Sequence, residues 1–207
     1  PWYNHTVIVY ELVSLAFLFR YIFSDSKFKG ANLVLSALFT AVTFMTKQDV
    51  GGMTVLFCLF LIALSGYYHK KIIPTLIYAG AFGGFLFLMI LPFLRYSFGY
   101  WFNHGQPPHT ARFSAGDIVN DFFNYSQWIK FYILFILLFM VMAKDSWKTF
   151  FKNERMTLFL VLTGGILGEA VVIQVTSYTP PDNNIFFHSF AIVYLLFMLS
   201  QKAGFSF

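Results

Sequence analysis

The amino-acid sequence predicts an all-α membrane protein, a polytopic transmembrane helical bundle of about seven spans with a short helix lying on the outer surface. Three observations predict it: an excess of apolar side chains, long apolar runs that recur along the chain, and loops that alternate between rich and poor in Lys and Arg. Hydrophobic residues fill 58% of the 207 positions and charged residues only 11%, less than half the roughly 25% usual in a soluble domain. A water-soluble fold with 29 Phe and so few charges has too little polar surface to cover itself. A lipid solvent removes that requirement.

Crossing a bilayer core takes about 20 mainly apolar residues. Candidate spans cover residues 6–23, 31–45, 50–67, 72–93, 128–142, 156–175 and 185–199. The second, fifth and seventh are short, and flanking aromatic and Lys side chains extend them by snorkelling. Arg20 snorkels in the same way from the inner end of the first span. Cys58, the single cysteine, lies inside an apolar run and is read as a packing residue. The chain begins at Pro1 without an initiator Met, so a piece of a larger protein is expected, with one membrane domain over residues 1–207 and no separate soluble domain.

The loops supply direction. With seven alternating spans, Lys27, Lys29, Lys70, Lys71, Lys144, Lys148, Lys152, Arg155 and Lys202 all fall on one side. Lys47, Arg95, Arg112 and Lys130 fall on the other, with Asp49, Asp117, Asp121 and Asp182. The basic side is cytoplasmic by the positive-inside rule, which puts the N-terminus outside and the C-terminus inside. The net charge of +5 is spread over short loops instead of gathered on one face, which argues against a nucleic-acid partner.

Residues 95–127 form the longest outer loop. It opens on aromatics, passes the turn signal Gly105-Gln106-Pro107-Pro108, and then offers Ser114 as the cap of a short helix over 114–125. Ile118, Phe122 and Tyr125 share one face of it, the pattern of an interfacial helix; an ordinary polar loop is the alternative. Gly80 with Gly84, and Gly164 with Gly168, are small-xxx-small pairs of the kind that lets helices approach closely.

Three polar groupings are candidates for chemistry, all on the outer side. Thr46-Lys47-Gln48-Asp49-Val50-Gly51-Gly52 sits between two spans with almost no loop. A cation there suits a phosphate, and the glycine pair would let backbone approach a ligand. The plainer alternative, favoured on the residues alone, is a hairpin turn in which Lys47 pairs with Asp49 or with lipid head groups. The second grouping is Asp182-Asn183-Asn184 leading to His188, one helical turn after Asn184; a helix cap and a His satisfied by a neighbouring carbonyl is its alternative. The third is the pair of intramembrane acids Glu11 and Glu169, which would pair with Lys47, Arg95 or Arg112, or act as helix-to-helix glue. No second His stands at metal-ligand spacing, so no zinc site is read, and no nucleotide or cofactor motif is present.

Phe44-Met45-Thr46-Lys47, an apolar span ending in T-K before a span that begins with small residues, resembles the GT-C superfamily of membrane glycosyltransferases. The nearest resemblance is to the bacterial dolichyl-phosphate-mannose-protein mannosyltransferase and aminoarabinose transferase-like proteins. Trp2-Tyr3-Asn4 before the first span and the segment Asn184-Ile185-Phe186-Phe187-His188-Ser189-Phe190-Ala191 agree in order and spacing. His188 stands where that family often has Glu.

The resemblance implies transfer of a sugar from a polyprenyl-phosphate donor to a lipid, glycan or protein acceptor on the outer face of a bacterial inner (plasma) membrane, without a cofactor. It places Lys47, with Gln48, on the donor phosphate. Asp49, Asn184, His188, Glu11, Glu169, Arg95 and Arg112 would support or bind substrate. The catalytic acid would precede Pro1. Two other classes stand beside it: a transporter or lipid flippase, which needs polar groups near the bilayer midplane, and a non-catalytic membrane scaffold.

Overall fold

In a computed structural model of the chain, the described residues are 2–25, 27–96, 114–125, 127–142, 147–177 and 185–203. They are helical and contain no strand. The helices are α1 (Trp2–Phe23), α2 (Lys29–Thr46), α3 (Gln48–His69), α4 (Ile73–Ile90), α5 (Ala115–Asn124), α6 (Gln127–Met142), α7 (Trp147–Lys152), α8 (Glu154–Ser177) and α9 (Ile185–Ala203). Five of them, α1 to α4 and α8, are long and apolar enough to cross a membrane. At 22 residues, α1 and α3 each reach about 33 Å, matching a hydrocarbon core of about 30 Å. The 16-residue α6 and the apolar stretch Phe187–Ser200 of α9 are shorter.

The helices gather into two compact units, α1–α4 and α5–α9. In the first, α1 packs on α2 and α3, and α2 also packs on α3 and α4. The buried stripe of α1 is Val7, Glu11, Ser14, Leu15, Leu18 and Ile22, spaced by the 3.6-residue helical period. On α2 it is met by small residues, Ser36, Ala37, Thr40 and Ala41, which let the two backbones close. Pro74 sits in the first turn of α4, where its missing amide hydrogen costs nothing. Pro92 ends the same helix by withholding the next bond, and residues Leu91–Phe93 tighten into a 3-10 turn. Tyr78 is the buried residue of α4; Leu76, Phe87 and Leu88 stand exposed, as suits a helix long and apolar enough to cross a membrane.

Close approach is achieved at a glycine outside the expected pairs. A Cβ on Gly80, Gly84, Gly164 or Gly168 would meet nothing within 4 Å, so among the described residues those pairs make no tight helix contact. At Gly51 a Cβ would collide with the backbone of Phe44.

Four hydroxyl groups and a thiol join the four helices of the first unit at their buried centre. Ser14 Oγ donates to the Ser36 carbonyl at 2.9 Å, and Thr40 Oγ1 does so at 3.0 Å. Ser14 Oγ also lies 2.7 Å from Thr40 Oγ1, 3.2 Å from Ser36 Oγ and 3.8 Å from Cys58 Sγ. Thr40 Oγ1 is 2.6 Å from Tyr78 Oη. Interhelical hydrogen bonds in membrane proteins contribute about 0.6 kcal/mol each on average, and leaving such groups unpaired in an apolar interior costs more.

In the second unit α8 packs on α5, α7 and α9, and α6 packs on α5 and α9. Phe159 of α8 makes an edge contact with Tyr194 of α9 at 5.1 Å between ring centres. The short helix read over 114–125 forms, as α5. Ser114 Oγ accepts from the Asp117 amide at 3.0 Å as its N-cap, and α5 meets the axis of α6 at 82°. Ile118 and Phe122 are half-buried, Tyr125 is exposed, and the exposed Val119 and Phe123 give α5 an outward apolar surface as well. The short α7 lies in a stretch the sequence reading treated as loop.

Cys58 is fully buried within the four-helix unit. It should therefore resist a maleimide in mild detergent and react once the protein is denatured; rapid labelling of the native chain would contradict this packing.

Candidate functional site

The strongest of the sequence candidates is the turn between α2 and α3, and a single residue makes it. Helix α2 ends at Thr46, α3 begins at Gln48, and Lys47 between them is extended, with φ −157° and ψ 116°. Its amide donates to the Thr43 carbonyl at 3.0 Å, closing α2, and its carbonyl accepts from the Gly51 amide at 2.9 Å, opening α3. Gly51 then lies against the Phe44 backbone. The close approach expected of the glycine pair is thus made to α2 and not to a ligand at Gly51, while a Cβ on Gly52 would meet nothing within 4 Å.

Asp49 in the first turn of α3 places its carboxylate where the helix dipole favours negative charge. Its Oδ1 accepts from the Val50 amide at 2.8 Å, and its Oδ2 lies 3.0 Å from Lys47 Nζ. The Lys47 and Asp49 side chains are only 13% and 19% exposed, whereas Gln48 points into the open. The result is a half-buried ion pair on a backbone with no slack. An ammonium carries three donors and no acceptor, so this cation is suited to an anionic oxygen arriving beside Asp49.

Among the remaining candidates of the first unit, Glu11 is 1% exposed and shares a stripe with Ser14, three residues on. Arg95 is spent on its neighbour: its guanidinium donates to Tyr96 Oη at 3.1 Å and lies over that ring at 5.1 Å.

In the second unit His188 meets two aromatic residues of α6. Its Nδ1 is 3.0 Å from Tyr132 Oη, and its ring stacks on Trp128 with centres 4.0 Å apart and planes inclined by 21°. The expected satisfaction by a carbonyl is replaced by a phenol. The buried Trp128 Nε1 has no hydrogen-bond partner among the described residues. Glu169 is fully buried in α8. Asn184, Asp182 and Arg112 lie outside the described residues. Among those described, no three His, Cys, Asp or Glu side chains converge as a metal-binding group.

Sequence reasoning missed Trp128 and Tyr132 as partners of His188, and the group Ser14, Ser36, Thr40, Cys58 and Tyr78. A signal existed for both. Trp128 and Tyr132 are four apart, as are Ser36 and Thr40, so each pair shares a helix face. The facing helix was what the pattern could not supply. In comparisons with known proteins, the chain matches no family model, no curated protein and no solved structure.

Gly51→Ala should force α2 and α3 apart at the Lys47 turn. A loss of about 1–3 kcal/mol is expected for overpacking of this kind, read as a lower melting temperature in detergent. Gly52→Ala, made where there is room, serves as the contrast; equal melting of the two variants would refute the contact.

Proposed function

We propose that the chain is part of a membrane glycosyltransferase of the GT-C kind, in which Lys47 holds the phosphate of a polyprenyl-phosphate sugar donor on the outer face of the membrane. One observation carries this reading beyond the T-K motif. Lys47 is the only residue between two apolar helices, its backbone bonded into both and its ammonium oriented by Asp49 at 3.0 Å. Such a cation is preorganised. In the transfer, an acceptor oxygen attacks the anomeric carbon, the carbon–oxygen bond to phosphate breaks, and the leaving phosphate gains negative charge. An ammonium already in place stabilises that charge without reorganising. The acceptor proton passes to a carboxylate, which the resemblance places before Pro1. Gln48, exposed beside Lys47, adds a side-chain amide to the phosphate contacts. Glu11 and Glu169 hold helices together in this scheme, and His188, backed by Trp128 and Tyr132, serves acceptor or sugar contacts.

The topology belongs to the same proposal. Seven crossings, with α6 and α9 completed by their aromatic and polar ends, put the N-terminus outside and the C-terminus in the cytoplasm of a bacterial inner membrane. Single cysteines placed at Asp117 and at Lys148, in a Cys58→Ala background, report it. In intact cells an impermeant maleimide should label the first and spare the second, and the reverse pattern would invert the assignment.

In the full-length protein, Lys47→Ala should lower sugar transfer from a polyprenyl-phosphate donor by about 10²–10³-fold, the usual effect of removing one preorganised donor. Lys47→Arg should keep part of the activity. Turnover untouched by Lys47→Ala would remove this residue from the mechanism.

The buried hydroxyl group of α1–α4 is the one observation that favours a transporter. Its members are bonded to one another and closed off from solvent, which suits helix cohesion better than a permeation path. Uptake of a lipid-linked sugar by proteoliposomes, without any transferred product, would replace the enzyme reading with transport.

A further inference from the structure

The end of the first unit opposite Lys47 carries a second concentration of charge. Lys27 and Lys29 stand where α1 gives way to α2, and Lys70 and Lys71 where α3 gives way to α4. Asp25 is the acid of these two connections. None of Lys29, Lys70 and Lys71 is in an ion pair among the described residues. A cavity of about 110 Å³ opens beside Lys29 and Lys71, lined also by Tyr21, Ser65, His69 and the apolar Ile62. Lys29 Nζ lies 5.6 Å over the Tyr21 ring, which holds the ammonium at the rim.

The second wall is built by an unusual turn. Lys70 adopts the left-handed conformation, φ 54° and ψ 40°, at a helix end where glycine is the ordinary occupant. The Lys71 amide folds back to the Gly66 carbonyl at 2.8 Å, and the Lys71 carbonyl fills the place where a Cβ on Gly66 would stand. A strained backbone is thus kept with a lysine on it, and the lysine beside it is pinned against the cavity. Lys71 also borders a second, larger cavity of about 360 Å³, whose other walls include Tyr67, Lys70 and Ile72. Tyr67 and Ile72 in its wall are 78% and 71% exposed, and Leu76, one helical turn beyond Ile72 on α4, is 63% exposed.

Cations with a small polar cavity, directly beside an exposed apolar surface, match one kind of ligand. We propose that this end of the α1–α4 unit binds the phosphate headgroup of an anionic membrane lipid. The phosphate sits between Lys29 and Lys71, and an acyl chain lies along Tyr67, Ile72 and Leu76. Juxtamembrane lysines attract such headgroups additively, and the apolar surface distinguishes a lipid from a soluble anion.

Native mass spectrometry of the full chain in a non-ionic detergent tests this, with phosphatidylglycerol, phosphatidylcholine or inorganic phosphate added at equal concentration. Phosphatidylglycerol should be retained, and the other two should not. The double variant Lys29→Gln/Lys71→Gln should lower its retention by roughly tenfold or more. Lys148→Gln/Lys152→Gln, an equal change of charge in the other unit, should leave it unaltered. Protection of Cys58 from a maleimide verifies that the variant is folded; if it is not, Lys71→Gln alone, in the exposed turn, takes its place. Equal retention of phosphatidylcholine, undiminished binding by the lysine variant, or equal loss in the control pair would overturn the site. Displacement of the lipid by inorganic phosphate at the same concentration would reassign it to a soluble anion.

Discussion

The first unit depends on one shared contact, the meeting of Ser14, Thr40 and Tyr78. Away from water, a hydroxyl must find its partner within the protein. Ser14 brings α1, Thr40 brings α2, and Tyr78 is the residue through which the otherwise bare α4 is buried. Apolar side chains alone would not select this arrangement, because lipid tails solvate them as well as a neighbouring helix does. The hydroxyls supply the directionality, and the small residues of α2 let the helices come near enough to use it. Cys58 joins the group from α3 as a weak partner of Ser14, so that all four helices share one polar centre.

The Lys47 turn is a consequence of the same economy. With Gly51 against Phe44 and a single residue between helices, α2 and α3 leave no room for a loop, and a charged residue at that apex is held by both of them. Pairing with Asp49, which the residues alone favoured, is present. It is compatible with an anion-binding role: a carboxylate that orients an ammonium in a half-buried setting also keeps that ammonium from being buried unpaired when no anion is there. The proposed enzyme therefore rests on a cation whose position owes nothing to its ligand.

Much of this was legible in the residues. The candidate spans coincide closely with helices, because apolar runs bounded by Lys, Pro and Gly are a strong local signal. Ser114 announced its helix through the spacing of Ile118 and Phe122. The single-residue hairpin at Lys47 was visible as two apolar runs with almost nothing between them. What stayed hidden was which faces meet. Gly80 and Gly164 read as packing positions and face open space, whereas Gly51, read as a ligand contact, is the tight one. Ser14, Thr40 and Tyr78 drew no attention in their spans, since their value comes from partners on other helices. The same holds for Trp128 and Tyr132, whose pairing with His188 joins residues more than fifty positions apart.

Glu11 has a consequence for how the chain enters its membrane. An acidic side chain within a span costs on the order of 2.5–3.5 kcal/mol on translocon-insertion scales. It lies on the same stripe as Ser14, so the polar side of α1 faces α2 and the opposite side carries Val9 outward. As a solitary segment α1 would present that acid to acyl chains. In the finished unit, packed on α2 and α3, that acid is buried. Helix α1 is thus best released from the translocon together with the helices that bury its acid, and the polar seam that stabilises the finished unit also makes the order of biogenesis matter.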